Sequence, residues 1–184
     1  MEQENNTIQK NSIAKSTLPY GVIFGIIVLL QIVISYTLGL NAANSSMGII
    51  SSLLNYCILP ILFIFLAANN FKNKLNNGYI SFGQTIKAGV TVCVIAALVF
   101  SALTAILYLA MPEMKAEVLE QTKVAAAQNP NMTSEMLEQT VKWTETFMQP
   151  YIAIPFSVLM FAFIGLIWSL LVGAIVKKDN PGAF

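Results

Sequence analysis

The chain of 184 residues is 56% hydrophobic and 10% charged, and its formal net charge is +1. Ordinary soluble domains are about 45–50% apolar, so the composition indicates a membrane protein, and the length leaves room for one domain. A nucleic-acid partner is not expected, because phosphate binding needs a dense basic surface.

Four long stretches, residues 18–40, 49–68, 88–111 and 151–176, carry no charged residue and together make up about half of the chain. Each is long enough to cross about 30 Å of hydrocarbon at roughly 1.5 Å per helical residue. Unlike the helices of soluble cores, these stretches are apolar on all sides. We therefore predict an all-α membrane protein, a four-transmembrane-helix bundle within residues 18–176. The predicted spans are residues 18–40, 49–68, 82–111 and 150–176.

The first two spans contain local signals for a helix start and a bend. Thr17 and Pro19 predict an N-cap and a first-turn proline for the first helix. That span is longer than the roughly 7–15 apolar residues of a signal peptide, which favours an uncleaved signal anchor. In the second span Pro60 predicts a kink, and its freed carbonyl would be satisfied by a neighbour or by water.

The third helix is predicted to begin at a capping box, in which the side chains of Ser81 and Gln84 accept from each other's backbone N–H groups. Gly78 predicts the turn before it. Small residues recur at every fourth position of this span, which lets helix backbones approach closely. We expect such residues to close the bundle or to pair two copies of it: Gly89, Cys93, Ala97, Ser101 and Ala105, with Gly165, Ser169 and Gly173 in the fourth span and Gly21 and Gly25 in the first.

Residues 112–149 form the sizeable polar segment of the chain, and we predict that they fold as a hairpin of two helices. The sequence at residues 117–122, EVLEQT, is nearly repeated as EMLEQT at 135–140. Residues 129–131, Asn-Pro-Asn, interrupt the pattern, and Thr133 or Ser134 predicts the cap of the second helix.

Apolar side chains give both predicted hairpin helices a face that can pack. The thinner stripe, on the first helix, comprises Met114, Val118, Gln121 and Ala125; the second helix carries Leu137, Val141, Thr144 and Met148, with Trp143 and Phe147 beside them. The hairpin either covers the bundle or the lipid surface, or it forms a docking surface for an extracytoplasmic partner. The first interpretation is favoured, since charged faces are usually only solvated.

The lysines predict the orientation of the chain. Seven of them flank the cytoplasmic ends of the predicted spans, whereas residues 112–149 hold three lysines and six glutamates. By the positive-inside rule, residues 1–17 and 177–184 are predicted to be cytoplasmic and the hairpin extracytoplasmic. The seven lysines are Lys10, Lys15, Lys72, Lys74, Lys87, Lys177 and Lys178.

The chemistry that enzymes and coupled transporters need is missing from the predicted spans. The chain has no histidine, and its spans contain no acidic residue, so we expect no catalytic residue, no metal site and no cofactor. We predict a non-enzymatic structural or partner-binding membrane component. Its expected partners are the lipid bilayer and either a second copy of the chain or a membrane or periplasmic protein.

Two amide side chains are the strongest polar candidates inside the spans. Gln31 lies near the middle of the first span, and Asn55 lies in the outer half of the second. Interhelical hydrogen bonding explains both residues as readily as a permeation path does. A small transporter or channel subunit, with Gln31 and Asn55 lining its path, is therefore the alternative function.

The segment Gly78–Gly89, GYISFGQTIKAG, resembles the motif of a bacterial membrane family known as domain of unknown function 4199. The layout is also similar, with a short polar start, a Gly-rich first span, a kinked second span, this motif and a long acidic loop. The resemblance implies an inner-membrane protein of four helices. It implies no activity, ligand or catalytic residue.

Overall fold

The structure, a computed structural model, describes residues 13–39 and 45–180. Their helices are α1 (Ile13–Thr37), α2 (Ser45–Leu53), α3 (Leu59–Asn70), α4 (Phe82–Ala110), α5 (Pro112–Ala127), α6 (Ser134–Phe147) and α7 (Pro150–Val176). Two π-helical turns, Leu54–Ile58 and Phe71–Leu75, join α2 to α3 and extend α3.

Four helices are long and apolar enough to cross a membrane, which confirms the predicted all-α class. They are Ile13–Thr37, Gly48–Leu75, Phe82–Ala110 and Pro150–Val176. The second of these long helices, Gly48–Leu75, continues past the predicted apolar span through Lys72 and Lys74. Positive charges are favourable in the last turn of a helix, so the helix can extend beyond its apolar residues. Lys10, Leu40 and the end of the tail lie outside the described residues.

The predicted N-cap at Thr17 is wrong, because α1 already begins at Ile13. The Thr17 side chain is buried, and its hydroxyl donates to the carbonyl of Ala14 at 3.1 Å. Ser16 bonds the Ile13 carbonyl in the same way, at 2.8 Å. Such hydroxyls satisfy carbonyls within a helix turn instead of capping it, and the helix therefore extends a full turn before Pro19.

The small residues pack the long helices against one another within one chain. A Cβ atom added at Gly89 of α4 would lie 2.5 Å from the Ser169 Cβ of α7, and one at Gly165 would lie 2.9 Å from the Cys93 Cβ. On another face of α4, a Cβ added at Gly21 of α1 would lie 2.8 Å from the Val92 carbonyl. These faces are thus covered by the chain's own helices, and no second copy is needed to bury them.

One end of the molecule is fastened by hydrogen bonds between segments far apart in the sequence. Ile80 and Lys178 exchange two backbone hydrogen bonds, both 2.9 Å long. Lys72 Nζ donates to the Val176 carbonyl at the end of α7, at 2.9 Å. We call this region the lysine end and the opposite end, where α1 finishes and α5 begins, the far end.

The motif Gly78–Gly89 provides most of the lysine end. Gly78 has a φ of +84°, the left-handed conformation that its predicted turn requires. The predicted capping box is confirmed: Gln84 N donates to Ser81 Oγ at 3.2 Å, and Ser81 N donates to Gln84 Oε1 at 2.8 Å. Ile80, between the turn and the cap, is fully buried. The motif therefore sets the start of α4 and holds it against the end of α7.

The segment between α4 and α7 consists of two helices, as its repeat predicted. Thr133 caps α6, with its side chain accepting from Met136 N at 3.2 Å. α5 follows α4 after the single residue Met111, and α5 and α6 contact each other. Met114 on α5 is only 2% exposed, so this helix is held against the long helices and does not extend away from them.

Candidate functional site

A cavity of about 170 Å³ lies at the far end, between α1, the α2–α3 helix and α5. We call it the amide cavity. Both residues singled out from the sequence line it, so the structure brings Gln31 and Asn55 together. Its wall comprises Gln31, Ile32, Ser35, Tyr36, Ser51, Asn55, Met114, Glu117, Val118 and Gln121.

The two amide oxygens of the cavity are buried without a hydrogen-bond partner. Gln31 Oε1 and Asn55 Oδ1 have none among the described residues. An unsatisfied buried acceptor costs about 1–3 kcal/mol, and the hydrocarbon core of a bilayer offers no donor to relieve that cost. Both oxygens belong to side chains of the cavity wall, whose surface is otherwise largely apolar.

Pro60 explains why Asn55 occupies an irregular stretch of helix. Proline has no N–H and clashes with the carbonyl four residues earlier, here that of Tyr56. The helix widens at Leu54–Ile58, where the Leu59 N–H reaches back to the Leu54 carbonyl. Such π-helical turns are frequent at functional sites. Asn55 thus lies in a turn whose regular α-helical hydrogen bonding is disrupted by Pro60.

The freed Tyr56 carbonyl is satisfied by a neighbouring helix, as predicted from Pro60. Trp168 Nε1 on α7 donates to this oxygen at 2.6 Å. An unsatisfied carbonyl would be costly in an apolar surrounding, so Trp168 stabilises the π-helical turn and fixes it against α7. The position of Asn55 follows from this contact.

Glu117 is the cavity residue that the sequence did not reveal. It belongs to the polar segment between α4 and α7, yet α5 folds back and places it beside Gln31 and Asn55. Gln121 Nε2 donates to Glu117 Oε1 at 3.0 Å. The available signal was the stripe of Met114, Val118 and Gln121, all three of which line the cavity; Glu117 adjoins that stripe, one turn after Met114.

Aromatic rings fill the interior beneath the amide cavity. Phe24 of α1 stacks on Phe63 of α3, with ring centroids 5.3 Å apart. Phe161 of α7 lies 6.0 Å from Phe24 and 6.5 Å from Phe100 of α4. These four residues form the aromatic cluster, to which each long helix contributes one ring.

The aromatic cluster lies deeper than the cavity. At roughly 1.5 Å per residue, Gln31 is about 9 Å and Phe24 about 20 Å from the far end of α1. Phe24, Phe63 and Phe161 are each 6% exposed or less. The packed aromatic cluster therefore forms a floor between the cavity and the lysine end.

A second cavity at the far end lies between α4, α7 and the end of α6. Its volume is about 160 Å³, and Thr104, Tyr108, Met148 and Ser157 are part of its wall. The Thr104 hydroxyl oxygen is buried without a hydrogen-bond partner among the described residues. This cavity contains no acidic or basic side chain in its described wall, which distinguishes it from the amide cavity.

The exposed aromatic residues of α6 continue onto the outer surface of α7. The Trp143 and Phe147 rings stack with centroids 6.1 Å apart, and Phe147 lies 5.1 Å from Phe156 of α7. All three side chains are exposed. Trp and Phe rings in this arrangement are typical of a surface that meets the interface of a bilayer.

The described residues contain no group of three or more His, Cys, Asp or Glu side chains placed to hold a metal ion. Cys57 and Cys93 are both free thiols.

Comparison with known proteins identifies a family. A family model described as "Protein of unknown function (DUF4199)" matches residues 19–178. No curated protein and no solved structure matches the chain. The matched range includes every wall residue of the amide cavity and both partners of the Ile80–Lys178 bridge.

Proposed function

We propose that the chain, which belongs to the family of proteins of unknown function DUF4199, is a non-enzymatic binding component of the bacterial inner membrane. The amide cavity holds its ligand. The observation that carries the proposal is the pair of buried, unpartnered oxygens, Gln31 Oε1 and Asn55 Oδ1. Because natural proteins rarely leave such groups unsatisfied, a cavity whose wall residues carry two of them has the character of a binding site.

In the proposed topology, the four long helices form a transmembrane bundle with residues 1–17 and 177–184 in the cytoplasm. The gathering of Lys72, Lys177 and Lys178 at one end supports this orientation, since cytoplasmic ends are rich in lysine. The far end, with α5 and α6 as a hairpin, then lies outside the cytoplasm. A cytoplasm-dependent reporter at the C-terminus should be active and one between α5 and α6 inactive; the opposite pattern would reverse the topology.

In this arrangement α5 and α6 have different tasks. α5 closes one side of the amide cavity through Met114 and Glu117. α6 rests its aromatic residues, Trp143 and Phe147, in the bilayer interface. Its other face, around Glu138 and Lys142, lines a groove together with Lys123 of α5, and this is the surface that a membrane or periplasmic protein partner would contact.

A small transporter or channel subunit is less well supported than a binding protein. Gln31 and Asn55 line one cavity, as that alternative requires, but the aromatic cluster occupies the interior beneath them. A path for ions or solutes would need those rings to move apart. Uptake or leak through proteoliposomes that contain the wild-type chain is expected to equal that of empty liposomes.

The proposed function is tested by native mass spectrometry of the full chain released gently from its own membranes. We expect one retained small molecule or lipid on the wild type and none on Gln31→Leu/Asn55→Leu. Leucine is similar in size and needs no hydrogen bond, so the double variant should fold. A wild type without a retained mass, or the same mass on both proteins, would contradict the proposal.

A further inference from the structure

We infer that the amide cavity binds a primary ammonium group, either on a small soluble amine or on the ethanolamine headgroup of a lipid. This inference rests on the proposed binding function and names the chemical class of the ligand. It follows from three acceptor groups, which belong to wall residues of one cavity from three different parts of the chain.

Two of the acceptors are the unpartnered oxygens of Gln31 and Asn55. An amide oxygen can only accept a hydrogen bond, so a ligand that donates hydrogen bonds would satisfy both oxygens. An ammonium group has three N–H donors and no acceptor. A ligand whose cavity-facing atoms are acceptors, such as a carbonyl or a phosphate, would leave both oxygens unsatisfied.

The third acceptor is the Glu117 carboxylate, which gives the cavity its charge. No lysine lines the described wall, and Glu117 forms no salt bridge among the described residues. The carboxylate favours a cation and disfavours an anion. The neighbouring Glu120, by contrast, pairs with Lys123 at 3.9 Å on the exposed side of α5, so the two glutamates of one helix differ in their surroundings.

The size of the cavity favours an organic cation over a metal ion. A volume of about 170 Å³ is far larger than a bare ion, and the described residues offer no cluster of metal ligands. It corresponds to about five or six water molecules at roughly 30 Å³ each, or to an ammonium group with a short carbon chain. Apolar wall residues, Ile32, Met114 and Val118, would contact such a chain.

A quaternary ammonium is the informative comparison, because it has the same charge but no N–H donor. If the two amide oxygens select by hydrogen bonding, ethylammonium should bind and tetramethylammonium should not. Phosphatidylethanolamine and phosphatidylcholine differ in the same way. A soluble amine and an ethanolamine lipid would thus place the same primary ammonium group in the cavity, and they differ only in what that group is attached to.

The experiment uses the full chain in nanodiscs of two compositions. In phosphatidylcholine–phosphatidylglycerol nanodiscs, ethylammonium and tetramethylammonium are titrated by calorimetry. In nanodiscs that also contain phosphatidylethanolamine, native mass spectrometry reports which lipid is retained. We expect saturable ethylammonium binding in the nanodiscs without phosphatidylethanolamine, retained phosphatidylethanolamine in the nanodiscs that contain it, or both results. If only one of the two is observed, it identifies whether the ammonium group comes from a soluble amine or from a lipid.

Matched variants connect the binding to the cavity. Glu117→Gln keeps the shape and removes the charge, and we expect affinity to fall at least about tenfold. Gln31→Leu/Asn55→Leu should abolish binding while the thermal unfolding temperature stays at or above that of the wild type, because two unsatisfied acceptors are gone. Glu120→Gln, on the same helix but outside the cavity, should bind like the wild type.

Three results would overturn the inference: no primary ammonium bound in either nanodisc, tetramethylammonium bound as well as ethylammonium, or the Glu117 and amide variants binding like the wild type. If native mass spectrometry on native membranes shows a retained ligand without an amine, the binding function stands and the ammonium assignment fails. If it shows no retained ligand and neither nanodisc binds an ammonium, both fail.

Discussion

The two ends of this molecule are built from the same helices but differ in how completely their polar groups are paired. At the lysine end, Ile80 and Lys178 exchange backbone hydrogen bonds, and Lys72 caps the last carbonyls of α7. At the far end, the oxygens of Gln31 and Asn55 are buried without partners among the described residues. One end satisfies its groups internally, and the other leaves acceptors facing a cavity.

The difference indicates where stability and function reside. Regions that bind ligands are usually less fully stabilised than the rest of a protein, and sequences break local rules mainly at functional sites. The lysine end has a capping box, a glycine turn and close helix contacts, and Lys72 of its own π-helical turn, Phe71–Leu75, is hydrogen-bonded. At the far end the π-helical turn Leu54–Ile58 carries the unpartnered amide oxygen of Asn55. This difference supports the proposal that binding takes place at the far end.

The largest effect is expected at the boundary between the two ends. Phe161→Ala removes a ring from the aromatic cluster and should lower the free energy of unfolding by about 2–3 kcal/mol, somewhat less than in water-soluble cores because lipid is also apolar. It should also make proteoliposomes leak. Steric-trap unfolding and a leak assay measure the two effects. Phe163→Ala, which alters an exposed ring, should change neither; equal behaviour of the two variants would contradict a packed floor.

Gly89→Ala tests the close packing of α4 against α7. The new methyl group would lie 2.5 Å from the Ser169 Cβ, and relief of that clash should cost about 1–3 kcal/mol of unfolding free energy. Gly83→Ala, on the same helix, meets nothing within 4 Å and should be neutral or stabilising by up to about 1 kcal/mol. The two variants are compared by thermal unfolding in the same detergent. Similar shifts of the unfolding temperature for both would contradict the close contact at Gly89.

Trp168→Phe tests the hydrogen bond that fixes the π-helical turn. Loss of the bond to the Tyr56 carbonyl should cost about 0.5–1.5 kcal/mol. In a Pro60→Ala background that carbonyl regains a helical partner, so the same Trp168 substitution should cost less. The double-mutant cycle by steric-trap unfolding measures this coupling. A coupling energy of zero would show that the contribution of the Trp168 hydrogen bond does not depend on Pro60.

The smallest effect is expected for the side-chain cap of α7. Lys72→Met removes the Nζ bond to the Val176 carbonyl and should lower the free energy of unfolding by about 0.5–1 kcal/mol. Lys74→Met removes an exposed lysine from the same turn and controls for the loss of charge. Chemical denaturation of both variants should show a deficit for Lys72→Met alone, and equal deficits would assign the effect to charge.

The sequence predicted local features more completely than the contacts between distant residues, for physical reasons. Apolar runs identify the four long helices, and short-range rules identify the capping box at Ser81, the cap at Thr133 and the carbonyl freed by Pro60. Each depends on residues within a few positions of one another. The N-cap at Thr17 failed because a hydroxyl near a helix start can bond a carbonyl within the helix equally well.

The amide cavity was only partly predictable. Gln31 and Asn55 stand out as polar residues in apolar spans, but their meeting depends on how α1 and the α2–α3 helix pack. Glu117 could not be assigned, because its sequence neighbourhood is that of a solvated helix. Only the fold of α5 back onto the long helices, after Met111, brings its carboxylate to the cavity.

A crystal structure of the full chain in a lipid mesophase supplied with ethylammonium is the decisive measurement for the proposed binding site. We expect electron density in the amide cavity within hydrogen-bonding distance of Gln31 Oε1 and Asn55 Oδ1, with the aromatic cluster intact beneath it. A cavity that contains only water, or one that has closed with the two amides bonded to each other, would contradict the claim that the far end is a binding site.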